Sequence, residues 1–245
     1  MPDIALANPP ETGVEYAYAN DYCLAVQFEF PTFLIMMTQS SSNLTINMGE
    51  RPFTVRFSKY DSADRDELER FINNIFRQAY DTEIKHFKPY LMSLRDHNDK
   101  LIAACGLQSA ATENLFLECF PDQPIEALLS EHTGQLVQRA DIVETCCFSV
   151  AELGMARYLI TAINDQLHFT SKLWAVFLAV PALRDAFINM GLHPEILSDT
   201  DKSRLPPEDL AEFGNFIDQK PQIIAIRRIE RRNKSRIAEP GIAAP

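Results

Sequence analysis

The second half of the 245-residue chain alternates between the signatures of strand and helix, and that alternation constrains the fold more than any other feature. Asp141–Val150 has the composition of a strand, and Leu153–Phe169 spaces its apolar residues as a helix does. Leu173–Val180 returns to strand composition. Pro181–Met190 opens with a proline, suited to a helix's first turn, and is stopped by Gly191. Strands separated by a helix pair in parallel, so the order predicts a β–α–β unit. A helix around Pro207–Phe213 and a strand over Gln222–Ile229 complete an α/β layered pattern.

The first half adds antiparallel signals. Phe53–Lys59 alternates as a strand would. Leu68, Phe71, Ile72, Ile75, Phe76, Ala79 and Tyr80 then fall on one helical face, behind an acidic first turn of Asp64, Asp66 and Glu67. Tyr90–Arg95 and Leu101–Leu107 flank the turn Asp96-His97-Asn98-Asp99, a hairpin pattern, and a helix opens at Asp122-Gln-Pro124 and stops near Gly134. Residues 1–52, with Pro9, Pro10 and the polar run Ser40–Asn47, read as an N-terminal extension. Residues 53–230 read as one domain, and 231–245 as a flexible basic, Pro/Ala-ending tail.

Charge and composition exclude several functions. The net charge is −11, and Arg227–Arg236 holds six bases against one acid, so the rest of the chain carries −16. An acidic body is a poor match for nucleic acid, whose phosphates need clustered Lys and Arg. No apolar run approaches the ~20 residues of a membrane span; Cys23–Met37 is interrupted by Gln27, Glu29 and Pro31. No stable membrane insertion is expected. The start Met-Pro-Asp-Ile lacks the form of a secretory leader, and five cysteines, Cys146 and Cys147 adjacent, suit a reducing compartment. A cytoplasmic location is the expectation. His86, His97, His132, His168 and His193 are scattered without metal-ligand spacing, so no metal is expected.

Chemistry concentrates on Asp141–Val150. Period-two alternation places Ile142, Glu144, Cys146, Phe148 and Val150 on one face, with Glu144 a carboxylate among apolar neighbours. Burial of that kind raises a carboxyl pKa toward values useful for accepting a proton. The plainer alternative is a strand-end Glu paired with Arg139 or Arg157. Next comes Ala151-Glu152-Leu153-Gly154-Met155-Ala156-Arg157, a small-residue turn into a helix, where free N–H groups and the helix dipole suit a phosphate. A plain strand-to-helix turn is the alternative reading. Adjacent Cys146 and Cys147 read as packed strand cysteines, since neither a His nor a helix start stands beside them.

Gly154-x-Ala156 after a strand resembles the pyrophosphate loop of the GNAT acyltransferase superfamily, although Ala151 occupies that loop's Gln/Arg position. Trp174-Ala-Val-Phe-Leu-Ala-Val and Pro181–Leu192 resemble its next strand and helix. A more detailed resemblance, over most of residues 53–229, is to the thermostable hemolysin family. It is carried by His86-Phe87-x-Pro89, Leu94-Arg95-Asp96, Ala104-x-Gly106-Leu107, Leu115-Phe116-Leu117-Glu118, Pro124-Ile125-Glu126, Ile142-Val143-Glu144 and Trp174-x-Val176-Phe177. The chain departs from that pattern at Thr145–Ser149 and Gln108. Ile102–Leu107, Phe116–Phe120 and Glu144–Val150 are also similar, in order, to segments of the acyl-homoserine-lactone synthases, with Glu144 on those enzymes' strand glutamate.

The resemblances imply a GNAT-like three-layer fold, a central mixed, twisted sheet flanked by helices. They imply an N-acyltransferase moving a long-chain acyl group to an amine or amino acid. The donor would be an acyl carrier protein or coenzyme A thioester, with no cofactor tightly bound. Glu144 would be the general base and Glu118 a second catalytic carboxylate. Cys146, Phe148, Val150, Gly154, Met155, Ala156 and Arg157 would hold the thioester's pantetheine-phosphate arm, and Phe116, Trp174 and Phe177 the acyl chain. Arg139, Arg157, Lys172 and Arg184 would form a basic patch for an acidic carrier protein. Two other classes compete: a membrane-active cytolysin using Thr32–Met37, and a non-catalytic acyl-binding module, which the altered Thr145–Cys147 and Ala151 suggest.

Overall fold

The computed structural model describes residues 44–48 and 51–229, all within one compact unit, Gln39–Pro245. Most of the N-terminal extension, Thr32–Met37 included, and the tail after residue 229 lie outside the described residues. The strands are β1 (Leu44–Met48), β2 (Arg51–Ser58), β3 (Tyr90–Arg95), β4 (Leu101–Ser109), β5 (Ile142–Val150), β6 (Trp174–Ala179), β7 (Glu195–Asp199) and β8 (Gln222–Arg227). They form one sheet in the order β1-β2-β3-β4-β5-β6-β8-β7. β5 and β6 are parallel, as the strand–helix alternation predicts, and every other neighbouring pair is antiparallel.

Helices cover both faces. On one side lie α3 (Ala156–Phe169) and α4 (Pro181–Asn189), packed on Met92, Leu94, Ala103, Cys105, Ala175, Phe177 and Ile224. On the other lie α1 (Arg65–Tyr80), α2 (Ile125–Thr133), α5 (Pro207–Phe213) and a 3₁₀ turn, Phe116–Cys119. Their apolar residues meet Leu91, Ala104, Ile142, Trp174, Val176 and Ala225. The result is the α/β three-layer arrangement that the resemblance implies.

α1 forms for the expected reasons. Asp66 and Glu67 sit in its first turn, and Leu68 and Ile72 are fully buried, a stabilisation of roughly 1.5–3 kcal/mol each. Its first residue, Arg65, is also buried, because its guanidinium reaches the carbonyls of Lys88 (2.8 Å) and Pro89 (3.2 Å) and pairs with Glu69 at 2.6 Å. The hairpin between β3 and β4 closes as predicted. Asp96 accepts from the amides of Asn98 and Lys100 at 2.9 and 3.0 Å, and Asp99 adopts φ 63°.

Two strands depart from expectation. Leu44–Met48, within the stretch read as an N-terminal extension, is a strand of the sheet, paired from Leu44↔Val55 to Met48↔Arg51. Its Leu-Thr-Ile-Asn-Met alternation is hidden by the polar Ser/Asn run before it. β7, a half-exposed edge strand, has too short an apolar pattern to stand out.

Candidate active site

β5 follows its predicted alternation only as far as Cys146. Ala104 faces Ser149 and Gly106 faces Cys146, so Cys147 and Phe148 together stand opposite Cys105. This is a β-bulge. Cys147 takes φ 53°, in the left-handed region that few non-glycine residues enter. The extra residue shifts the period by one. Ile142, Glu144 and Cys146 face one side, while Phe148 and Val150 pack into the α3–α4 core on the other. The single face predicted for Ile142, Glu144, Cys146, Phe148 and Val150 is therefore corrected: the bulge divides it.

The sheet splits at the same place. β5 and β6 pair from Ile142↔Trp174 to Thr145↔Phe177, although both strands continue beyond. Each keeps its outer partner, Val150 facing Ala103 and Ala179 facing Gln222, so a wedge opens between them. The amide of Ala151 bonds Ile102 on β4 at 2.9 Å. By alternation the amides of Phe148 and Val150 point to the opposite edge, into the wedge.

Glu144 stands just before the split and is 2% exposed. Its Oε1 accepts from the amide of Leu117 at 3.2 Å and its Oε2 from that of Phe116 at 3.3 Å. These are unpaired N–H groups at the start of the 3₁₀ turn. Its Oε2 also lies 2.9 Å from Lys88 Nζ. The carboxylate is thus charge-compensated, neither isolated among apolar groups nor paired with Arg139 or Arg157. Burial works against the charge on Lys88, but the Glu144 carboxylate outweighs it and raises the lysine pKa above its ordinary 10.5. Arg65 holds the backbone at Lys88, and Gly106 makes room for its stem: a β-carbon there would lie 3.3 Å from Lys88 Cγ and 2.7 Å from Cys146 Sγ. Lys88 is the residue that the sequence motifs pass over, since it fills the open position of His86-Phe87-x-Pro89. The requirement that a buried carboxylate have a counter-charge is the signal that points to it.

Beyond the wedge, β5 leads through a 3₁₀ turn, Leu153–Met155, into α3, which no side chain caps. Among the described residues, nothing lies within 4 Å of where a Gly154 β-carbon would stand, so that side of the turn is open to them. Met155 packs on the core beneath, Ala156 begins the helix, and Arg157 is exposed, its guanidinium over the Tyr158 ring (4.6 Å) and bonded to its hydroxyl (2.8 Å). Phe148, Val150, Gly154, Met155, Ala156 and Arg157 therefore gather at one end of the split. Cys146 lies across the sheet with Lys88.

Other expected groupings are not formed. Glu118 is engaged on both oxygens. Oε1 accepts from Arg139 (2.6 Å) and the Ile125 amide (3.0 Å), and Oε2 from Arg139 (2.7 Å) and the Leu115 amide (2.8 Å). Burial opposes its charge, yet these donors prevail and hold its carboxyl below the ordinary 4.5. It anchors the turn that presents the amides to Glu144. Phe116, Trp174 and Phe177 do not line one tunnel. Phe116 stacks on Phe213 at 5.3 Å, and Trp174 borders a cavity of about 310 Å³ with His132, His193, Glu195 and Arg227. Phe177, on the opposite face, lines a cavity of about 60 Å³ with Phe187. The expected basic patch is divided too. Arg139 and Lys172 precede β5 and β6, at the end of these strands away from Gly154. Arg139 bonds Glu118 and Glu126, and Lys172 reaches the Ala140 carbonyl. Arg157 and Arg184 stand at the Gly154 end, Arg184 bonded to Gln222.

Hydrogen bonding to Cys147 and burial push the Cys146 thiol pKa up, burial does the same for Cys105, and burial takes Cys119 to about 12. Such thiols stay protonated and are poor nucleophiles. Among the described residues no group of three or more His, Cys, Asp or Glu is arranged to hold a metal, and no helix is long and apolar enough to cross a membrane.

The thermostable hemolysin family matches residues 58–231, more than half of the chain and all of the split sheet except β1 and most of β2. No curated protein matches. Among solved structures, TofI in its apo form is 13% identical with a TM-score of 0.51, the match covering 71% of this chain and 90% of that one. The AHL synthase LasI is 10% identical with a TM-score of 0.49, over 72% and 90%. An acetyltransferase of the GNAT family from Staphylococcus aureus is 9% identical with a TM-score of 0.39, over 71% and 99%. The chain shares the fold of TofI.

Proposed function

The chain belongs to the thermostable hemolysin family, and from that premise and the split sheet we propose that it transfers an acyl group from a thioester to an amine. One observation carries the reading. A carboxylate, Glu144, stands three residues before the bulge that opens the sheet, and the wedge beyond it is edged by the amides of Phe148 and Val150, directed away from β4. A pantetheine arm is an extended amide chain, which can pair with such an edge as a strand would. Its phosphate would meet the uncapped start of α3 beside Gly154. Both coenzyme A and acyl carrier protein present this arm as co-substrate, and both remain donors in this proposal.

The reaction follows from that placement. The amine loses a proton to Glu144 and attacks the thioester carbonyl carbon; the C–N bond forms as the carbonyl electrons move onto oxygen. The amide of Phe148 or Val150 stabilises that oxyanion. Collapse breaks the C–S bond, the leaving thiolate takes the second proton that the nitrogen, an ammonium on arrival, gives up, and Glu144 releases the first to solvent. Direct transfer also suits the protonated thiols of Cys105, Cys119 and Cys146, which supply no covalent relay.

The test is intact-mass analysis of products after mixing the full chain with acyl-coenzyme A or acyl carrier protein and a panel of amines. An amide product is expected with wild type, and Glu144→Gln should lower its formation about 100-fold, the scale for losing a general base. Wild-type rates in the variant at neutral pH refute the assignment of Glu144. No amide from any donor and acceptor refutes acyl transfer.

A further inference from the structure

We propose that Lys88 is a specificity residue which binds the carboxylate of a zwitterionic acceptor, so that the amine acylated at this site belongs to an amino acid. The inference rests on the acyl-transfer reading and narrows its acceptor. Two of the three contacts to Glu144 come from backbone amides of a turn fixed by Glu118 and Arg139. The third, Lys88, sits on a rotatable stem and is the outer member of the pair, its side chain 18% exposed against 3% for Glu144. An ammonium has three protons to donate, and Glu144 takes one. The pair therefore offers an incoming molecule a cation first and a carboxylate behind it.

Charge matching then selects the acceptor. An amine reaching Glu144 arrives as an ammonium and must displace Lys88 from the carboxylate. A simple alkylammonium would leave Lys88 without a partner beside a second positive charge, in a part-buried site. An amino acid brings both signs. Its ammonium takes the place of Lys88 on Glu144 while its carboxylate pairs with Lys88, and every charge stays matched. The nearness of the Lys88 stem and Cys146 Sγ to Gly106 puts this exchange beside the bulge, where the wedge amides begin.

The experiment compares kcat/KM for amino acids with that for the matching decarboxylated amines and carboxamides, using one acyl thioester. Calorimetry of amino-acid binding without donor runs in parallel. Wild type should favour the amino acid by about 100-fold, and Lys88→Met should shrink that preference to within ~5-fold, mainly through KM, with Lys88→Arg retaining part of it. Because Lys88→Met leaves Glu144 buried without its counter-charge, the charge-neutral pair Lys88→Met with Glu144→Gln serves as the folding control for the binding measurement. Equal use of amino acids and simple amines by wild type, or undiminished discrimination in Lys88→Met, overturns the inference while leaving acyl transfer intact. If no acceptor is acylated, acyl transfer fails, and calorimetry still decides Lys88: binding lost in the variant supports its role, and unchanged binding overturns it.

Discussion

Gly106→Ala probes the point where three parts of the site touch. The added β-carbon would lie 2.7 Å from Cys146 Sγ and 3.3 and 3.4 Å from Lys88 Cγ and Cβ. Favourable carbon contacts begin near ~3.5 Å, so the sulfur must retreat by about 1 Å and the lysine stem by a few tenths. Overpacking of this kind costs about 1–3 kcal/mol, partly offset by the ~0.4–1 kcal/mol that alanine gains over glycine by restricting the unfolded chain. A net loss of about 1–2 kcal/mol is expected, a fall of roughly 2–8 °C in melting temperature for a domain of this size. Urea and thermal unfolding should be measured in two backgrounds, wild type and Cys146→Ala. Removing the sulfur removes the tightest contact, so the penalty should fall to below about half in the second background, a coupling between touching residues. The loss should also be accompanied by weaker amino-acid binding, since the same atom displaces Lys88. An equal penalty with and without the Cys146 sulfur would refute the contact as its source. A Gly106→Ala protein as stable as wild type would refute the packing argument altogether.

Two further outcomes follow from the geometry. Gly154→Val should leave the melting temperature within about 2 °C, because its β-carbon would enter open space, yet weaken thioester binding about 10-fold or more where phosphate approaches α3; unchanged donor affinity by calorimetry reduces the turn to a connector. Glu118 resists protonation in the fold, so as pH falls below the ordinary 4.5 the unfolded chain takes up a proton that the folded chain refuses. Stability present above that pH is then lost toward lower pH. Melting temperatures followed from about pH 6 to 3 should fall less steeply in Glu118→Gln than in wild type, and parallel curves would remove Glu118 from the acid response.

Most of the element pattern was legible because it rests on local periodicity. α1, the β3–β4 hairpin and the β5–α3–β6–α4 succession all follow from spacing, a turn or a proline. Glu144 was legible as a carboxylate in an apolar strand. What escaped is non-local. The bulge adds one residue to β5 relative to β4, and period-two reasoning has no means of counting the partner strand. Lys88 meets Glu144 from 56 positions away in the sequence, brought there by Arg65 bonding its backbone. Trp174 and Phe177 have opposite facings because they stand three positions apart on one strand, an odd offset that sends them to different cores. Arg139 and Lys172 fall away from the cleft because each precedes its strand, whereas Gly154 follows one.

The parallel seam between β5 and β6 also bears on how the chain acquires its shape. From Leu44 to Val150, each strand pairs with the one before it, through short turns between β1 and β2 and between β3 and β4 and through helix-bearing connections at the other two joints. From Trp174 to Arg227, β6, β7 and β8 form a second antiparallel set. Only four residue pairs join the two sets, and they form after α3 has carried the chain back across the sheet. That connection, residues 151–173, is shorter than those joining β2 to β3 and β4 to β5, so the small number of pairs rather than loop closure is what weakens the seam. The seam is therefore expected to be among the first parts of the sheet to separate, and the wedge is an interruption at the joint between two antiparallel sets.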